Sequence, residues 1–150
     1  MKVIIICAAI IVIAYMLFQG IGMSSTHPPI AEYSFRANTE SFKRLLSRTI
    51  DTYSGWSLAE NDTMSTENET CYWASLFYRD SERSYEYSIK YCGSTKNASP
   101  ETQGVRVEVI GAFDHNTKTG GYKISDQDVP RLLEFVESTL LKKMKPEYTR

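Results

Sequence analysis

TCYWASLFYRDSERSYEYSIKYCG, residues 70–93, is the stretch that decides the fold. Two runs rich in Tyr, Trp, Phe and Ile flank Asp80, Ser81, Glu82 and Arg83, the pattern of an antiparallel hairpin. With the turn centred on Ser81 and Glu82, paired residue numbers sum to 163, and Cys71 falls opposite Cys92. Directly opposed Cα atoms in a non-hydrogen-bonded pair are about 4.5 Å apart, within reach of a disulfide. The same register sorts the side chains into two faces. Tyr72, Ala74, Leu76 and Tyr78 share one with Tyr91, Ile89, Tyr87 and Tyr85, which makes it the core candidate. Trp73, Ser75 and Phe77 share the other with Lys90, Ser88 and Glu86, and Trp73 opposite Lys90 is placed for a cation-π contact.

Outward from the hairpin, the chain supplies what an α+β domain needs. Upstream, Phe42, Leu45, Leu46, Thr49, Ile50 and Tyr53 recur at helical spacing, with Asn38 or Thr39 to cap the start and Gly55 to end it. Trp56 and Leu58 suggest a short strand, and the polar run from Glu60 to Glu69 reads as a loop. Downstream, Ser94 to Gln103 is a polar loop before a third strand in which Val105, Val107 and Val109 alternate with Arg106 and Glu108. Asp114 to Gly121 reads as another loop, and Tyr122 to Ile124 as a short strand. A final helix carries Val129, Leu132, Leu133, Val136, Leu140 and Leu141 on one stripe, capped by Ser125 or Asp126, with Pro130 tolerable in its first turn. The expectation is an antiparallel meander of three to five strands with two helices packed on the Tyr-rich face.

The N-terminus is of a different kind. VIIICAAIIVIAYMLF, residues 3–18, carries no charge, and extension to Met23 gives 21 residues, about 31 Å of helix against a hydrocarbon core of about 30 Å. Lys2 precedes it and no Lys or Arg follows until Arg36, so the positive-inside rule puts the N-terminus in the cytoplasm and the rest in the periplasm or outside the cell. A cleaved signal peptide with Gly20-Ile21-Gly22 as its processing site is the alternative, giving a secreted domain. The retained anchor is favoured because the apolar run exceeds the usual h-region and Gly-x-Gly is a poor cleavage match. The organisation expected is an anchor or signal peptide over 1–23, an extended linker over 24–38 with Pro28-Pro29, an extracytoplasmic domain over 39–145, and a tail over 146–150. Tyr33 and Phe35 alternate within the linker as a short edge strand would.

Charge and chemistry narrow the function classes. The chain has 17 Lys+Arg and 18 Asp+Glu, and only Lys2 falls before residue 24, so the domain is slightly acidic and lacks a nucleic-acid footprint. His27 sits in the linker and His115 in a loop, neither beside a nucleophile motif. A Glu108 and Glu86 pair from neighbouring strands is conceivable, but such pairs are common in acidic domains. The three cysteines fit no zinc spacing, and no cofactor or metal is expected. Export makes a Cys71–Cys92 disulfide the expected state. Asn61-Asp62-Thr63, Asn68-Glu69-Thr70 and Asn97-Ala98-Ser99 match the glycosylation acceptor, relevant in a eukaryote. Trp73 and Phe77, with Lys90, form the expected partner-binding patch on the polar sheet face. The functional expectation is a membrane-tethered binding domain for a protein partner. Its layout is similar to that of periplasmic immunity proteins and small tethered inhibitors, an analogy of architecture. An accessory single-pass subunit of a membrane complex and a small secreted enzyme are the alternatives.

Overall fold

The computed structural model describes residues 27–66, 68–94, 104–144 and 148–149. The hydrophobic segment 3–23, the start of the linker and Asn97 lie outside the described residues, among which no helix is long and apolar enough to cross a membrane.

The expected hairpin forms in the expected register. β3 (Glu69–Arg79) and β4 (Ser84–Ser94) pair antiparallel from Glu69 opposite Ser94 to Arg79 opposite Ser84, with Cys71 opposite Cys92. Asp80 holds the turn: its Oδ1 accepts from the backbone N–H groups of Glu82 at 2.9 Å and Arg83 at 2.7 Å, and its Oδ2 accepts from Arg83 Nε at 2.8 Å. Those donors, the Glu82 N–H first, hold the Asp80 carboxyl well below the usual carboxylate range. A turn with both ends pinned leaves the strands no freedom to slip, and a slip by one residue would turn the Tyr face outward.

β1 (Ala31–Phe35), β2 (Trp56–Ser65), β5 (Val105–Asp114), β6 (Thr119–Gly121) and β7 (Tyr148–Thr149) complete one antiparallel sheet in the order β2-β3-β4-β5-β1-β7, with β6 also on β5. Seven strands exceed the three to five expected because short and polar segments join it. The run from Glu60 to Ser65 is strand and not loop: it extends β2 along β3, with a bulge between Glu60 and Asp62. An edge strand with one neighbour has little apolar surface to cover, so its sequence reads as loop, and its bulge and charges discourage further pairing. The 24–38 stretch is not all linker, since Ala31–Phe35 pairs with β5 on one side and β7 on the other and buries Tyr33 and Phe35. Residues 148–149, expected as tail, pair with β1. The short strand after β5 is Thr119–Gly121, with Tyr122 and Ile124 exposed beyond it.

Two helices lie on the Tyr face. α1 (Thr39–Thr52) starts at Asn38, whose Oδ1 accepts the Ser41 N–H at 2.8 Å. It links β1 to β2 at the far edge and so crosses the face, burying Phe42 and Leu46. Gly55 turns the chain with φ 93° where an added Cβ would lie 2.8 Å from the Tyr78 ring. Lys43 on α1 reaches Glu60 at 2.9 Å, and Glu60 accepts the Tyr91 hydroxyl at 2.8 Å, tying helix, edge and core strand together. α2 (Val129–Thr139) is capped two residues beyond Asp126 and three beyond Ser125, the two expected caps, because Asp126 organises the turn before it by accepting the Lys123 N–H at 3.0 Å. The N-cap is Asp128, with φ 66°. A 3-10 turn, Leu141–Met144, continues the buried stripe.

The core is aromatic. Tyr87 donates its hydroxyl to Leu132 O at 2.9 Å, and Phe135 meets Tyr78, Tyr85 and Trp56 at ring separations of 4.8, 5.1 and 6.1 Å. Fully burying a side chain such as Leu132 or Phe42 contributes about 1.5–3 kcal/mol, and Phe135, partly buried, contributes less. The tyrosines can enter the core because the hydroxyls of Tyr85, Tyr87 and Tyr91 each find a partner. At one end Asp114, 5% exposed, accepts from Arg131 at 3.0 Å, and the same guanidinium donates to the Tyr85 hydroxyl at 2.9 Å.

The uncovered sheet face as candidate functional site

Both helices take the same side of the sheet, so the opposite face is the candidate site. The registers lay its side chains out in rows across the strands. One row reads Asp62, Trp73, Lys90, Glu108, Glu32, and the next toward the strand ends reads Met64, Cys71, Cys92, Arg106, Ser34. Toward the hairpin turn lies a row of Ser57, Phe77, Glu86, Phe113 and Gly120. A bulge in β5 between the partners of Ser88 and Ile89 shifts its alternation, which brings Phe113 to this face.

The disulfide is present: Cys71 and Cys92 are joined with Cα atoms 4.1 Å apart, and both residues are buried. Glu69 and the two sulfurs lie within 4.8 Å of one another. Sulfurs joined to each other are not thiolates, so this group is no metal site in its oxidised form. Beside it, Ser34, Asn68, Glu69, Cys92, Gly93 and Arg106 help line an open groove of about 580 Å³.

Lys90 lies 5.6 Å from the Trp73 ring centroid, as the register implied, and also 3.3 Å from Glu108. Glu108 is 9% exposed and receives Arg106 Nε at 2.8 Å, so two cations hold one sheltered carboxylate. Arg106 extends to Glu69 at 3.9 Å. Across the face, the carboxylates Glu32, Asp62, Glu69, Glu86 and Glu108 outnumber the cations Arg79, Lys90 and Arg106, which leaves it electronegative.

The structure gives the expected site residues the following surroundings. Trp73 and Phe77 are half-buried and not freely exposed, since strand neighbours shade the rings and Lys90 covers part of the indole. Trp73 Nε1 is buried with no acceptor among the described residues. Among the described residues, the exposed large hydrophobics are instead Tyr53, Met64, Tyr122 and Ile124. Asn61 stands on β2 and not in a loop, donating to Ser75 Oγ at 3.2 Å, whereas Asn68 is exposed in the turn between β2 and β3. Glu108 and Glu86 form no carboxylate pair: they stand opposite Lys90 and Phe113, rows about 13 Å apart. His115 Nε2 contacts Glu86 at 2.9 Å at the turn end.

The alternation of Arg106 and Glu108 with valines announced an outward-facing pair. That Lys90 joins Arg106 on the Glu108 carboxylate depends on the β4–β5 register across the long 94–104 connection, which carries no local signal. No protein-family model, curated protein or solved structure matches this chain.

Proposed function

We propose that this chain is a membrane-tethered, extracytoplasmic binding domain whose uncovered sheet face receives a protein partner presenting a basic surface. One observation carries the reading: a face left bare by both helices holds three half-buried aromatics, Trp73, Phe77 and Phe113, within an excess of carboxylates. Trp73 and Phe77 supply apolar area for an anchor pocket, and the carboxylates supply steering and register. Residues 3–23 supply the anchor and the outward placement, and the disulfide suits an oxidising compartment. An inhibitor or immunity-type role is one form such a domain takes.

The test places a photo-crosslinking residue at Ser57, beside Phe77, in the full chain in its native membrane, and identifies the adduct by mass. The purified partner should bind wild-type chain with an affinity that falls as salt rises, and Trp73→Ser with Phe77→Ser should weaken it about 30-fold or more. Unimpaired binding by that double variant, or adducts only with copies of the chain itself, would overturn the proposal.

A further inference from the structure

The loop after β6 is unusual for a surface loop. Tyr122, Lys123 and Ile124 are consecutive and exposed, with Tyr122 at 41% and Ile124 at 55%. Tyr122 also has a built seat. Its ring packs over Gly111, where an added Cβ would lie 2.9 Å from two ring carbons, and against Phe113 at 5.1 Å. His27 also stacks on this ring, at 4.7 Å and 12°. His27 follows the hydrophobic segment by only four positions, a reach of about 14 Å even when fully extended.

The geometry points to Tyr122 and Ile124 as a membrane-surface contact, seated in the headgroup layer of the bilayer that holds residues 3–23. The inference rests on the reading of that segment as a retained anchor. The His27 stack places the chain's entry point against this loop, so an anchored chain holds the loop within about 14 Å of the lipid. The residue types suit the interface: an amphipathic ring at headgroup level, an aliphatic side chain below it, and a lysine able to extend its ammonium back to water. The contact orients the domain as well as tethering it. Phe113 and Phe77 stand in the row nearest the bilayer, while Trp73, Lys90 and Glu108 stand about 13 Å along the strands. A partner on this face is then met close to the membrane.

The test reconstitutes the full chain in phosphatidylcholine vesicles with and without bromine near the top of the acyl chains. Tyr122→Trp and Ile124→Trp are compared with Met64→Trp, an exposed control at the far edge and opposite end of the sheet, and wild-type emission from Trp56 and Trp73 is subtracted. Quenching of the new tryptophan at 122 and 124, and not at 64, is the expected result. Because Ile124 is exposed, its variant folds even where a tryptophan at 122 disturbs the Gly111 seat. Protein that floats with the vesicles but shows no quenching at 122 or 124, or equal quenching at 64, overturns the surface contact and leaves the anchor standing. Protein that fails to float overturns the anchor, and the contact with it.

Discussion

Reducing the Cys71–Cys92 bridge tests how far the hairpin depends on its cross-link. The cysteines are 21 residues apart, and loop-closure entropy for a ring of that size gives about 3 kcal/mol of stabilisation by restriction of the unfolded chain. For a domain of this size, that corresponds to a fall in Tm of roughly 10 to 15 °C. The folded contacts need not change, because the register is also held by Asp80 at the turn and by pairing with β2 and β5 on both flanks. Loss should therefore be seen chiefly in the unfolded state. The assay is urea unfolding of full chain in detergent, followed by emission of the core residue Trp56, with and without reductant and alongside Cys71→Ala with Cys92→Ala. The midpoint should drop and the m-value should rise, since the uncross-linked chain exposes more surface. A urea midpoint and an m-value both unchanged from the oxidised protein would refute the entropic argument.

Two further perturbations probe the ends of the sheet. Burial alone would raise the Asp114 carboxyl, but Arg131 and the N–H groups of Thr117 and Asn116 outweigh it and hold the pKa below the ordinary value. That stabilisation is present above the unfolded value of about 3.9 and is lost as pH falls through the lower folded value. Arg131→Met leaves the carboxylate with less compensation. Because Arg131 is itself half-exposed, the loss should be about 2–3 kcal/mol at neutral pH, and acid unfolding should begin at higher pH. An unchanged acid midpoint would contradict this. At Gly120, φ is 110° and an added Cβ would run into the Ala112 carbonyl, so Gly120→Ala should cost about 1–3 kcal/mol by urea midpoint. Gly104→Ala, whose new methyl would meet, among the described residues, only Phe35 O at 3.6 Å, should stay within about 0.5 kcal/mol. Equal effects at the two glycines would overturn the backbone argument.

The sequence by itself determined the α+β class, the hairpin register, the disulfide and the face that turns inward. These depend on period-2 alternation about one tight turn and on 3.6-residue stripes in two helices, which are local signals. It was silent where pairing partners are distant. β1 joins the sheet through β5, seventy residues away, and the polar half of β2 becomes strand only because β3 lies beside it. Polar edge residues carry no apolar pattern to read. Tertiary structure alone brought Lys90, Arg106 and Glu108 together, shaded Trp73 and Phe77, and seated Tyr122 on Gly111 beside His27. Each of those depends on where a bulge shifts the alternation or where a loop folds back. Such placements follow from the whole sheet and from no single stretch of chain.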